Sequence, residues 1–544
     1  MARLFLGLDS STQSLSAIVI DYDARKVAYE TSINFDKTLP HYGTQNGTLR
    51  APRTPSGQAD PLVVHSPPLM WVEALGLLFA EMNKDGVPLG DILAVSGSGQ
   101  QHGSVYLNDR AADALANLDP AKSLVENLCP EGVRGAGVFS RLTSPIWMDS
   151  STSTECAEIR KKLGGVKATA QKTGSDAFER FTGPQIRKFY KTERQNYEKT
   201  ASIALVSSFM ASIIAGKIAP IDHGDGAGMN LMDIRKKTWR PDALKATAPN
   251  LKKKLPSLAE SSRIIGPVSR YLVNKYGFNP DAQALVWSGD NPCSVIGLGL
   301  IQEGMIAISL GTSDTYFGYM KRCRTDAHGE GHVFGAPLFA GKERGYMTLI
   351  CFKNGSLARE KIRDQYGLDW NGFNRALTST PPGNNGGIIL PWFEPEIIPR
   401  VNKPGIHRFD LDERDAAANC RAVVEAQMMS MRLHSRWMKV RPSRIYATGG
   451  ASTNAAILQV MADVMNCPVL RIEVGKSAAL GAALRAAHGW LVHIGKKPKC
   501  EEITAGFTDP VPNSENRPNR WATRVYDKLV EKYAECELET LQRI

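Results

Sequence analysis

The chain has 544 residues, of which 42% are hydrophobic and 22% charged, and it carries a net charge of +11. That composition excludes a disordered chain and leaves room for more than one buried core. The basic residues fall in short, distant runs such as Lys252-Lys253-Lys254 and Lys496-Lys497 with no interleaved aromatics, so nucleic acid is not an expected partner.

Arg3 to Asp9 reads as a buried strand, Ser16 to Asp21 as a second and Val27 to Phe35 as a third. Leu4 to Leu8, the apolar stretch near the start, is too short for the core of a secretion signal. Residues 41–68 are rich in Gly, Pro, Thr and Asn and read as a loop or insert. Pro68 to Asn83 has helical spacing, Ile92 to Ser96 is a strand running into a Gly-rich segment, and residues 107–140 look irregular. Ala201 to Ala215 reads as an apolar helix. Ala284 to Trp287 is a strand that runs into Ser288-Gly289-Asp290-Asn291, before a helix from Pro292 to Leu300.

The opening pattern then returns. Met305 to Leu310 is a strand, Gly311-Thr312-Ser313-Asp314-Thr315 a polar turn and Tyr316 to Met320 a second strand. Ser11-Thr12-Gln13-Ser14 aligns with Thr312-Ser313-Asp314-Thr315, which suggests two copies of one architecture. A helix from Glu425 to Val440, a strand from Arg444 to Thr448 and the turn Gly449-Gly450-Ala451-Ser452 follow. Asn454 to Met465 and Ser477 to His488 read as helices around a strand from Val469 to Glu473, and Trp521 to Leu541 as a closing amphipathic helix. The boundary is expected near 300–304, giving domains 1–303 and 304–544. The mixed order implies an α/β fold of sheets with helices packed on them.

Nine cysteines without a C-x-x-C pair argue against a disulfide framework or a zinc ribbon. No window reaches the roughly 18 apolar residues of a membrane span. A cytoplasmic protein with no membrane contact is expected.

Three familiar motifs are incomplete. Gly475-Lys476-Ser477 resembles the end of a phosphate-binding P-loop, but Leu470 stands where that motif needs glycine. Gly97-Ser-Gly-Gln-Gln-His-Gly103 resembles a dinucleotide fingerprint with its third glycine one place late. His328-Gly-Glu-Gly-His332 has metal-like spacing in a glycine-rich loop, not on a helix. A bound nucleoside triphosphate must therefore be held otherwise. Two hairpin turns, Ser10-Ser11-Thr12-Gln13 and Gly311-Thr312-Ser313, supply backbone N–H and hydroxyl donors suited to phosphates. Asp9, at the end of the first strand, either holds Mg²⁺ through water or caps its turn. Gly449-Gly450-Ala451-Ser452 is either a flat surface for a nucleoside or a plain tight turn. Asp290, Asp222, Asp225 and Asp149 are the candidate acids. His102 offers a neutral imidazole to a ligand hydroxyl or satisfies a structural contact.

Asp9-Ser-Ser-Thr-Gln-Ser14, Gly99-Gln-Gln-His-Gly103, Arg180-Phe-Thr-Gly183, Ser288-Gly-Asp-Asn291, Ser309-Leu-Gly-Thr-Ser313, Cys351-Phe-Lys-Asn-Gly355 and Thr448-Gly-Gly-Ala-Ser452 occur in this order. Together they resemble the FGGY carbohydrate kinases, and within them the kinases of ketopentoses, from about Leu4 to His488. The resemblance implies two actin-like, ribonuclease H-like ATPase domains around a central cleft. The first would bind a small sugar and carry the base, the second would bind nucleotide. It implies ATP-dependent phosphorylation with Mg²⁺, D-xylulose being the expected acceptor. Ribulose or glycerol, or an actin-like ATPase without a sugar, are the alternatives. It makes Asp290 the catalytic base and His102, Arg180 and Asn291 sugar contacts. Ser11, Thr12, Gln13, Gly311, Thr312, Ser313, Trp370, Gly449, Gly450, Ala451 and Asn454 would lie around ATP, and Asp9 near the metal. A monomer or homodimer is expected.

Overall fold

Leu4-Phe-Leu-Gly-Leu-Asp-Ser10 is buried at every position and forms β1 (Leu4–Ser10) at the centre of a sheet. The computed structural model describes residues 2–49, 60–132, 135–337, 345–473 and 475–544. Its internal contacts divide the chain into two units.

The first unit comprises 1–299, 333–346 and 474–508. Its sheet adds β2 (Ser14–Asp21), β3 (Lys26–Asn34), β4 (Ile92–Gly99), β5 (Ile264–Pro267), β6 (Gln283–Leu285) and β7 (Ser288–Gly289) in the order β5-β6-β4-β1-β2-β3, with β7 also on β4. β1 pairs antiparallel with β2 and parallel with β4, so Asp9 lies level with Ser98. The helix Pro68–Lys84 covers one face through Trp71, Leu75, Leu78 and Phe79, all buried in one large apolar cluster with Leu6 and Leu8. Each such side chain contributes about 1.5–3 kcal/mol relative to an exposed one.

The helix Ser477–His493 covers the other face, against β1 and β4. A single cut near 300–304 therefore does not describe the contacts: this helix and residues 333–346 come from the second half of the chain but pack in the first unit. The cause is close approach. A Cβ on Gly481 would stand 1.9 Å from the Cys293 carbonyl oxygen, and one on Gly297 1.9 Å from that of Ser477. The two glycines bring the helix Asp290–Gly297 into backbone contact with Ser477–His493 and so fix the position of Asp290.

The second unit comprises 300–332, 347–473 and 509–544. Its central strands are β8 (Met305–Leu310), β9 (Asp314–Met320), β10 (Tyr346–Phe352), β11 (Arg444–Thr448) and β12 (Val469–Arg471), in the order β10-β9-β8-β11-β12. β8 pairs antiparallel with β9 and parallel with β11. This repeats the pairing of β1 with β2 and β4, down to a three-residue turn at 11–13 and at 311–313. The expected internal repeat is present in the topology.

Several elements differ from expectation. Ser202–Leu205 is a strand paired with Ser104–Leu107, and the helix starts only at Val206, where Ser208 Oγ accepts from the Leu205 N–H. The helix expected from Glu425 begins at Ala416, where the Asp415 side chain caps it by accepting from the Ala418 N–H, and apolar spacing does not mark this start because Asn419, Arg421 and Glu425 are polar yet buried. Residues 107–140 contain helices Ala111–Ala116 and Leu124–Leu128, the latter with a Ser123/Glu126 capping box. Of the segment 41–68, residues 50–59 lie outside the described residues; its described part holds a turn at Pro40–Tyr42 and a bridge from Leu49 to His65. Among the described residues no helix is long and apolar enough to cross a membrane.

Candidate active site

In the first unit the site grows from the ends of β1, β4 and β7. Asp290 is the first residue of its helix, not the end of a strand, so its carboxylate sits at a helix N-terminus. Its Oδ1 accepts from the Gln101 N–H at 3.2 Å and from the Asn291 N–H at 2.8 Å. Burial and the nearby Asp9 charge outweigh these donors and push the carboxyl up to about 7. A carboxylate in that range is poised to take a proton at neutral pH.

Asn291 Nδ2 donates to Gln101 Oε1 at 2.8 Å. Among the described residues, the buried Gln101 Nε2 has no hydrogen-bond partner. A buried amide donor left open beside Asp290 is what a polar ligand would satisfy.

His102 is buried, and its ring stacks on Phe181 with centroids 4.3 Å apart. Nδ1 donates to the Gly228 carbonyl at 3.0 Å, which leaves Nε2 as an acceptor. Burial, with the Arg180 charge second, lowers its pKa to about 3, so the ring is neutral. Its backbone is left-handed, with φ of 71°, and Thr182 Oγ1 fixes the carbonyl at 3.0 Å. Backbone strain of this kind persists where surroundings hold it, commonly at ligand sites. The Arg180 guanidinium lies 5.4 Å from the Phe178 ring centroid and 5.9 Å from that of Phe181.

Asp9 is buried, and Ser11 and Ser98 donate their hydroxyls to it, Ser98 at 2.7 Å. Burial raises its pKa. Thr12 Oγ1 donates to Gln100 Oε1 at 3.3 Å and accepts from Trp147 Nε1 at 2.9 Å. Gln13 is exposed at the tip of the turn, where its carbonyl holds the Phe35 N–H. No group of three or more metal-ligating side chains occurs among the described residues, which includes His328 and His332. A single carboxylate fits an ion held mostly by water and phosphate, as Mg²⁺ usually is.

The other candidate acids have different surroundings. Asp149 accepts from the Val64 N–H, Ser151 and Gln185 and pairs with His65 at 3.5 Å, which holds it below the usual carboxylate range despite burial. It is a structural anchor. Asp222 caps the short helix His223–Ala227. Asp225 lies closer to Asp290, against Gly289.

In the second unit, Gly311, Thr312, Trp370, Gly450, Ala451 and Asn454 line one open pocket of about 620 Å³, together with Ser356, Arg359 and Asn374. Ser313 and Gly449 are exposed beside it. Trp370 is 43% exposed and carries the Arg363 guanidinium 4.4 Å from its ring centroid. Asn454 caps the helix Ala455–Met465 through its Oδ1 and donates Nδ2 to Asn374 Oδ1 at 2.7 Å. A flat aromatic face beside a glycine turn and a helix N-terminus suits a nucleotide.

The residues that hold this pocket were missed in the sequence. Arg359 pairs with Asp314 at 3.1 Å, both 1% exposed, and donates to Gln427 at 2.6 Å. Gln427 holds the carbonyls of Asn354 and Gly355, and Glu396 accepts from the Asn354 N–H and side chain. The adjoining Ser356 N–H donates to the Gly311 carbonyl at 2.8 Å, which ties this network to the turn 311–313. Its signal, the Cys351-Phe-Lys-Asn-Gly355 string, was visible but its partners lie 40 to 75 residues away.

Two family models match the chain: the N-terminal domain of the FGGY family of carbohydrate kinases over residues 142–297, and the C-terminal domain over 306–490. The chain is 42% identical to a xylulose kinase of Rattus norvegicus over 99% of this chain and 98% of that protein. It is 43% identical to xylulose kinase 2 of Arabidopsis thaliana over 90% of this chain and 87% of that protein. Its fold is similar to a crystal structure of xylulose kinase from Rhodospirillum rubrum, with TM-score 0.79 and 17% identity over 99% of each chain. The expected two-domain α/β architecture is the observed one.

Proposed function

Because the chain belongs to the FGGY family of carbohydrate kinases, we propose that it transfers the γ-phosphoryl of ATP to the terminal hydroxyl, O5, of D-xylulose, with Asp290 as general base. The observation that carries this reading is the Asp290 carboxyl, placed by Gln101 and Asn291 and held near neutrality in its affinity for a proton. Phosphoryl transfer needs little covalent help; it needs positioning and one acceptor for the hydroxyl proton.

The first unit holds the sugar. Neutral His102 accepts from a sugar hydroxyl at Nε2, Arg180 donates to sugar oxygens, and Asn291 and Gln101 orient the reacting end. The turn Ser11-Thr12-Gln13 donates to phosphate oxygens. The second unit holds the nucleotide: Trp370, Gly449, Gly450, Ala451 and Asn454 around the nucleoside, and Gly311, Thr312 and Ser313 at the phosphates. Asp9 would hold Mg²⁺ through water. When bound, that ion offsets negative charge on the phosphates.

A panel of D-xylulose, D-ribulose, D-gluconate and glycerol in an ADP-release assay tests the acceptor. The largest kcat/KM is expected for D-xylulose. No signal with D-xylulose, alongside turnover of another acceptor, would overturn the choice of sugar.

A further inference from the structure

We propose that Asp225 is a neutral carboxylic acid that positions the catalytic base from behind, without itself meeting substrate. The inference rests on the reading of Asp290 as base.

Asp225 is 1% exposed. Its Oδ2 shares a hydrogen bond with Ser207 Oγ, and its Oδ1 has no partner among the described residues. Oδ1 faces the turn that leads into Asp290. A Cβ on Gly289 would stand 3.0 Å from it and 2.6 Å from Gln101 Cγ. The carboxyl of Asp225 therefore packs against the peptide backbone immediately before Asp290, on the same side of Gly289 as the Gln101 side chain.

Burial comes first in setting its state, and the charges around it add to that. Asp222 and Asp290 act on it as like charges, and Arg485 as the opposing one. Arg485 is itself 1% exposed and spends its donors on neutral carbonyls: Gly97 at 3.1 Å, Val286 at 2.9 Å and Ser261 at 3.2 Å. Asp222 already has donors for its charge, the Asp225 N–H at 2.7 Å and Ser288 Oγ at 2.8 Å. One cation and these donors accommodate Asp222. A further carboxylate with one bare, buried oxygen has only the Ser207 hydroxyl as a hydrogen-bond donor and a share of the Arg485 charge, which does not offset its burial. A proton on Oδ2, given to Ser207 Oγ, leaves Oδ1 as a carbonyl oxygen, which tolerates a missing donor far better than an anionic oxygen does. Burial drives Asp225 in the same direction, well above the ordinary carboxylate range.

The consequence is a division of roles between two acids. Asp225 stays protonated and supports the turn, so it adds no negative charge beside Asp290. Asp290 is then free to ionise near neutrality.

Infrared spectroscopy in the Asp290→Asn background tests the protonation state without relying on activity. At pH 7.5 the spectrum of Asp290→Asn minus that of Asp290→Asn/Asp225→Asn should contain a protonated-carboxyl C=O band. A carboxylate band in its place overturns the proposal. If the double variant does not fold, the wild-type chain and Asp225→Asn alone give a second measurement. Asp225→Asn keeps the shape and the neutrality, so kcat should stay within about threefold of wild type and the acid limb of kcat/KM should not move. Asp225→Leu, which keeps bulk but offers no polar atom, should lower kcat by about tenfold or more with KM for ATP unchanged. An acid limb that falls by about one pH unit or more in Asp225→Asn would show that an ionised neighbour had been removed, and would refute a neutral Asp225. Failure of the base assignment itself would look different: Asp290→Asn would then turn over sugar normally.

Discussion

The Gln101 N–H donates to Asp290 Oδ1 at 3.2 Å, and Gln101 Oε1 accepts from Asn291 Nδ2 at 2.8 Å. One residue of the Gly99–Gly103 segment thus holds both Asp290 and its neighbour Asn291. Asn291→Ala breaks the side-chain half of this arrangement and frees Gln101 to rotate. Its kcat/KM for the sugar should fall about 10- to 100-fold, while KM for ATP stays unchanged, as steady-state kinetics with each substrate varied will show.

The protonation of Asp290 sets a pH profile. With its carboxyl at about 7, the base is lost as pH falls. kcat/KM for the sugar should drop about tenfold per pH unit on the acid side and level off above about 8. His102, neutral down to about 3, should add no second limb between pH 5 and 9. A flat profile from pH 5 to 8 would contradict the assignment of Asp290.

The same shift affects stability. Asp290 binds its proton more tightly when folded than an ordinary carboxylate does, so folding loses stability as pH rises from about 4, where the unfolded carboxyl ionises, to about 7, and the loss is complete above that. Asp290→Asn should therefore stabilise the protein above pH 8, by about 1–2 kcal/mol once partial exposure is discounted, and should be neutral only below about pH 4. Thermal denaturation midpoints at the two pH values give the comparison.

In the second unit, two substitutions should behave oppositely. Trp370→Ala removes a 43% exposed ring at the pocket, so it should raise KM for ATP several-fold and leave stability nearly unchanged. Arg359→Met strands Asp314 as a buried, unpaired charge. It should destabilise the protein by about 3–5 kcal/mol, seen as a lower urea midpoint.

The two hairpins and the strands around them were legible as short local patterns, a buried run and a hydroxyl turn, whereas Asp290 stood among four candidate acids until the family resemblance singled it out. The residues of the second unit's pocket came from the hairpin at 311–313 and from the family resemblance, and six of them line one cavity. What stayed hidden depends on distance along the chain. Nothing local marks Ser477–His493 as packing on β1, since Gly7, Gly297 and Gly481 act only when brought together. The Arg359–Asp314–Gln427 network is polar, so hydrophobic spacing passes over it. The surroundings proposed to keep Asp225 neutral are its burial, Ser207 and Arg485, and no local pattern near residue 225 marks them. The start of the helix at Ala416 was missed because its buried face is charged and amide-rich.

Sugar-dependent ADP release by Asp290→Ala, measured beside the wild-type chain with D-xylulose and ATP, tests the central claim most directly. The wild type should turn over. The variant should bind ATP normally and lose on the order of 10²–10⁴ of its sugar-dependent rate. Wild-type-like release from Asp290→Ala would contradict Asp290 as the base.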